Sequence, residues 1–269
     1  MHELMHSVTR VNLRSLVRTL APSLIVALLL CGSTMAGKIP VPGTPVPITL
    51  QTFVLMTAAL TLGWRRATAG TVLYLGLGAA GLPVFSGGGS TLSLIGPSGG
   101  FLFGFVPSVM LTAVLAGTAN RAITSLRTKH DMHPALAGAA RFIACFMACA
   151  FGFLIAGYGF GAAFQSTVTG MPLGITAAST LVFVPGDLIK IAVASLLALP
   201  VLASADSARC HARYTASSVF HWQHAHVAGA HHMHLAAVVA HAQRGVFVDC
   251  DRLARQRRAI RAVHEHRLA

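Results

Sequence analysis

Six apolar runs follow one another between residues 19 and 202, at roughly 19–37, 48–64, 67–85, 99–120, 139–164 and 174–202. Each is close to the about 20 largely apolar residues that a helix needs to cross a hydrocarbon core. A water-soluble fold has no interior large enough for all six. Charge says the same: 10% of the residues are Asp, Glu, Lys or Arg, against about 25% in a soluble globular chain. The mean hydropathy is +0.68. The expected fold class is all-α integral membrane, with six transmembrane helices.

The connectors alternate in charge. The N-terminus carries Arg10, Arg14 and Arg18, the second connector Arg65 and Arg66, and the fourth Arg121, Arg127 and Lys129. The first connector has only Lys38; the third (86–98) and fifth (165–173) have no charge. Basic connectors stay cytoplasmic, so both termini are expected inside. This divides the chain into a basic N-terminus (1–18), a membrane domain (19–202) and a tail (203–269). The three outer connectors, "PVPGTPVP", "SGGGSTLSLIGPSGG" and "TGMPLG", are rich in Pro or Gly. Proline has a fixed φ and no amide donor, so residues 38–52, with Pro40, Pro42, Pro45 and Pro47, form neither helix interior nor central strand. An outer surface of stiff loops on a helical bundle is where a small solute would enter. Tight turns explain 165–173 well enough, and the other two poorly.

Residues 1–202 hold 11 Lys or Arg and 3 acids, and residues 203–269 hold 9 and 4. In the first part the cations sit between apolar runs and no basic stripe is interleaved with aromatics, which excludes nucleic acid as the partner. Cys31, Cys145 and Cys149 fall in apolar runs and, with Cys210 and Cys250, form neither a disulfide framework nor a zinc pattern. Arg10, Arg14 and Arg18 before an apolar stretch, with "STMAG" at 33–37, look like a secretory signal. The further spans favour an uncleaved first helix instead.

The sixth run contains Asp187, the single acid in any expected span, with Lys190 three residues on. That spacing places both on one helical face. Charges at membrane depth are costly and face a bundle interior or a water-filled cavity. Pro185 and Gly186 are expected to break the helix beside them. Two readings stand: a self-neutralised structural ion pair, or a polar anchor for a ligand, and the second is preferred. "GLGAAG" (76–81) fits a dinucleotide pattern but lies in an apolar run without strand–helix alternation. There is no GxxxxGK[ST], so energy must come from a gradient or from partner chains. In the first run Ser23, Ala27 and Cys31 form a small-residue row, either for internal packing or as a docking face for another subunit.

"KIPVPGTPVPITLQTFVLM", "YLGLGAAGLPVFSGGG", "GPSGGFLFGF" and "PGDLIKIAVASLLA", in that order, resemble the BioY family from about residue 20 to 202. These are the substrate-binding membrane subunits of energy-coupling-factor vitamin importers. The resemblance implies biotin as ligand, a transmembrane coupling subunit and ATPase subunits as partners, no cofactor of its own, and a multi-pass protein of the bacterial plasma membrane. It also implies that the first outer loop folds over the vitamin. Asp187 and Lys190 match the family's ligand-contacting "GD..K" positions, with Asp187 expected to accept from a ureido N–H. Lys190 would donate to the ureido oxygen or to the carboxylate. Tyr74, Phe85 and Phe101 are expected as apolar walls or core, and Thr49 and Gln51 as loop-base hydrogen-bonding groups or helix caps. No arginine in the fourth span offers itself to the carboxylate.

Beyond residue 202 the resemblance stops. This tail holds 10 of the 14 histidines and nine arginines without a lysine. His221, His224, His226, His231, His232 and His234 could ligate a metal, but no zinc-type spacing recurs, and a disordered appendage or a reading-frame accident is preferred. A solitary carrier, with Asp187 coupling proton movement, is the alternative to the multi-subunit importer. An enzyme finds no support, because no Ser/His/Asp set, HExxH or carboxylate pair lies at membrane depth.

Overall fold

The computed structural model describes residues 13–41, 44–130 and 132–228. Among them the chain is helical, with no strand beyond two isolated bridges, Ile39 with Ile48 and Phe85 with Gly89. The helices are α1 (Leu13–Met35), α2 (Gln51–Leu62), α3 (Trp64–Ala79), α4 (Thr91–Ile95) and α5 (Gly99–His130). After these come α6 (Pro134–Cys149), α7 (Tyr158–Thr169), α8 (Leu173–Thr180) and α9 (Val184–Ala228). A π-helical stretch, Ala150–Gly157, joins α6 to α7, and a 3₁₀ turn, Leu181–Phe183, joins α8 to α9. Contacts divide the chain into two units, Met1–Leu199 and Pro200–Ala269.

Three helical stretches are long and apolar enough to cross a membrane: Gly99–Arg127, Pro134–Thr169 and Leu173–Asp206. They coincide with the fourth, fifth and sixth expected spans. The earlier spans are shorter as helices. At about 1.5 Å per residue, the 12 residues of α2 cover roughly 18 Å of a core about 30 Å thick. It starts at Gln51, and Gly63, at φ 77°, ends it. The third expected span reaches only Ala79, because the chain turns at Gly81 (φ 92°) and Pro83.

The outside of the first unit is apolar: Leu24, Leu28, Ile143, Ile155, Ile189 and Leu196 are all exposed. The inside combines large side chains such as Leu30, Leu55, Met56 and Ile191 with small and hydroxyl-bearing residues, which let helices approach closely. Around α5, Ser108 Oγ donates to Gly104 O (2.7 Å) and Thr112 Oγ1 to Ala148 O (3.3 Å). α1 lies on α3 so closely that a Cβ at Gly70 would fall 2.6 Å from Val26 Cβ and 2.7 Å from Ser23 O. This close approach favours the packing reading of the small-residue row. Ser23 and Ala27 are buried, with Ser23 Oγ donating to Arg66 O at 3.1 Å, and Cys31 is half-buried. Ser23 thus packs on α3, and the exposed side of α1 carries Leu24 and Leu28.

Residues 203–228, expected to be disordered, continue α9 as helical backbone. No Gly or Pro occurs between Pro200 and Gly229, and the stretch is rich in residues a helix tolerates. His221, His224 and His226 lie on this backbone; His231, His232 and His234 lie outside the described residues. Among the described residues no group of three metal-ligating side chains is brought together.

Candidate ligand-binding site

The 3₁₀ turn Leu181–Phe183 restarts the chain as α9, with Pro185 in the first turn, where a missing N–H costs nothing. The helix break expected at Pro185 is thus a new helix start. Asp187 falls in that first turn, where the helix dipole favours a negative charge. Its carboxylate is almost fully buried. Oδ1 accepts from Lys190 Nζ (2.8 Å) and from Thr52 Oγ1 (3.2 Å), and Oδ2 accepts from Tyr158 OH (2.8 Å). Lys190 Nζ also donates to Thr49 O (2.8 Å) and Thr52 Oγ1 (3.1 Å). Every ammonium proton of Lys190 therefore has an acceptor. Thr49 and Thr52 flank the start of α2, so the end of the proline loop is tied to α9 through this one lysine.

A second chain of hydrogen bonds runs behind the first. Thr49 Oγ1 donates to Gln51 Oε1 (3.0 Å), and Gln51 Nε2 donates to Tyr74 OH. Tyr74 OH in turn donates to Val84 O (3.3 Å), which also accepts from Thr34 Oγ1 (2.9 Å). The Tyr74 and Phe85 rings meet edge to face, 5.2 Å between centroids. Phe85 is seated by the absence of a side chain at Gly78, where a Cβ would stand 2.0 Å from the ring. On the other side Phe183 packs edge to face on Phe101 and Tyr158, at 6.3 and 6.4 Å.

These groups enclose a cavity of about 230 Å³. Pro45, Val46, Pro47 and Ile48 of the proline loop line it, and Phe85, Phe101, Leu102, Phe105 and Phe183 make its apolar walls. Asp187, Lys190, Tyr158, Thr49, Gln51 and Thr52 supply a polar patch, with Lys38, Ser86, Ser93 and Ser98 a second group of polar residues. The proline loop is closed at its base by paired hydrogen bonds, Ile39 N to Ile48 O (3.0 Å) and Ile48 N to Ile39 O (2.9 Å). A buried carboxylate on an apolar chamber suits a flat apolar ligand that presents N–H donors.

Of the residues singled out from the sequence, Asp187, Lys190, Thr49, Gln51, Phe85 and Phe101 line this cavity. Tyr74 stands behind the wall, fully buried, and acts through Gln51 and Phe85. Sequence reasoning passed over Tyr158, Thr52, Phe183 and Lys38. Tyr158 had a signal: a phenol in the apolar run "AGYGFG" must find a hydrogen-bond partner. Thr52 lay within the quoted motif "KIPVPGTPVPITLQTFVLM", whereas Phe183 had no signal, because nothing local distinguishes it from a core residue.

Comparison with known proteins gives one family. Residues 5–207 match the BioY family. The biotin transporter BioY of Rhizobium etli is 33% identical over 191 residues, which is 70% of this chain and 93% of that protein. The biotin transporter BioY of Thermotoga maritima is 44% identical over 80 residues, 29% of this chain and 47% of that protein. Among solved structures, the S-component for biotin from an ECF-type ABC transporter superposes with a TM-score of 0.58 at 27% identity, covering 72% of this chain and 94% of that one.

Proposed function

The chain belongs to the BioY family, and from that membership we propose that it is the biotin-binding membrane subunit of a vitamin importer. It spans the bacterial plasma membrane six times with both termini inside, as its connector charges favour. A transmembrane coupling subunit and ATPase subunits supply the energy, since the chain has no phosphate-binding loop of its own. It is a binding protein rather than an enzyme.

The observation that carries this reading is Asp187, a buried carboxylate lining an apolar-walled cavity beneath the proline loop. Biotin's ureido ring offers two N–H donors and one carbonyl on an apolar bicycle. Asp187 accepts from a ureido N–H. Gln51 places one amide proton on Tyr74 and keeps the other for the ureido oxygen. Lys190 has its three protons committed, so its part is to hold the Asp187 carboxylate and the Thr49 carbonyl in place. The aromatic walls take the bicycle, and the prolines limit the conformational freedom lost when the loop settles on the ligand.

The test is calorimetric titration of biotin into the purified full chain and its Asp187→Asn variant. Charge-assisted hydrogen bonds contribute about 1.5–3 kcal/mol, so the variant is expected to bind at least roughly tenfold more weakly. A well-folded wild type that ignores biotin and takes another vitamin would overturn the proposal.

A further inference from the structure

We propose that Lys38 is the receptor for the carboxylate at the far end of the ligand, an assignment that rests on the biotin reading above. Two cations line the cavity, Lys38 and Lys190. Lys190 is fully engaged by Asp187, Thr49 and Thr52, at 2.8, 2.8 and 3.1 Å. An anionic ligand group would have to displace one of these bonds to reach it. Lys38 has no acceptor among the described residues, so its ammonium is the cation with donors to give.

Its placement fits the role. The Ile39–Ile48 bridge pins the backbone beside Lys38 at the base of the proline loop. From there the side chain runs to the glycine loop after α3 and lies along Gly87: a Cβ on that residue would stand 2.5 Å from Lys38 Nζ and 3.4 Å from Cε. Gly87 and Gly88 both have positive φ, 73° and 76°, and the turn is closed by Phe85 N to Gly89 O (2.9 Å) and Gly88 N to Phe85 O (3.1 Å). The ammonium thereby lies beside Gly87, between the proline loop and the glycine loop. Beside it in the cavity lining is Ser86, whose hydroxyl is buried without a partner. A buried hydroxyl with nothing to bond is a cost unless a ligand group completes it. Among the described residues no acid other than Asp187 lines the cavity, so none of them competes there for the cation or repels an anion.

Topology does not explain this lysine. It is the one cation of the three outer connectors, on the side where the positive-inside rule calls for none. Because Lys38 is exposed, the carboxylate it receives stays at the water boundary. The attraction is then weakened by salt, unlike the buried contacts to the ureido ring.

The experiment compares biotin with its methyl ester, which lacks the negative charge, on the full chain in lipid nanodiscs. Lys38→Gln is expected to weaken biotin roughly two- to fivefold while leaving the ester's affinity unchanged, and Lys38→Arg to keep most of the affinity for biotin. Raising ionic strength should weaken biotin binding to the wild type and spare the ester. If the glutamine variant weakens both ligands alike, or neither, Lys38 is not the carboxylate receptor. A wild type that binds neither ligand would overturn the biotin reading itself, which is distinguishable because no Lys38 variant enters that measurement.

Discussion

Lys190→Met is the most informative single perturbation of the site. The Nζ–Oδ1 distance of 2.8 Å corresponds to an attraction of about 6 kcal/mol at an effective dielectric of about 20. Most of that is offset by the cost of removing both charges from water. Methionine keeps the stem volume but strips Asp187 of its cation and leaves the Thr49 carbonyl and the Thr52 hydroxyl short of a donor. Asp187 retains Tyr158 and Thr52. Breaking a buried pair from one side costs about 3–5 kcal/mol; the partly wet cavity wall points to the lower end, roughly 3 kcal/mol. For a domain of this size that lowers the melting temperature by about 6–12 °C. The assay is thermal unfolding of the wild type, Lys190→Met, Asp187→Asn and the double variant in one lipid or detergent. Removing both charges abolishes the desolvation cost as well as the attraction, so the double variant is expected to be more stable than Lys190→Met alone. Additive losses, or a single variant that melts within about 2 °C of the wild type, would show that the pair is not coupled in this way.

Two further outcomes follow from the same geometry. Tyr158→Phe removes the donor to Asp187 Oδ2 and should weaken biotin about three- to tenfold by titration, with the melting temperature little changed. Gly78→Ala drives a methyl into the Phe85 ring; this overpacking is expected to cost about 1–3 kcal/mol by thermal unfolding and to lower biotin affinity, because Phe85 forms part of the cavity wall.

The part of the fold legible in the sequence was the part set by continuous hydropathy. The expected fourth, fifth and sixth spans appear as the three long apolar helices. Where glycine and proline interrupt, the sequence misled: apolar residues 80–85 extended the expected third span, yet Gly81 and Pro83 turn the chain there and swing Phe85 onto the cavity. In the tail, residues 203–228 follow α9 as helical backbone, in a stretch without Gly or Pro before Gly229. Within the site, Asp187 and Lys190 were legible because charges in an apolar helix are costly, and an i, i+3 spacing puts the two on one face. Lys38 was legible as a residue and opaque as a role, since its lack of a partner is a property of the surroundings.

The sequence by itself determined that this chain lives in a membrane, that one helix face carries an acid and a base, and, through its motifs, which family it resembles. These are properties of neighbouring residues, and local patterns encode them. Only the tertiary structure decided which groups complete the carboxylate. Thr52 and Tyr158 reach Asp187 from 135 and 29 residues away, and the Thr49 carbonyl meets Lys190 across 141. It also decided that Ser23 and Val26 pack against Gly70 of α3. Hydrogen bonds act over about 3 Å and in one direction, so their assignment waits on where distant segments come to rest.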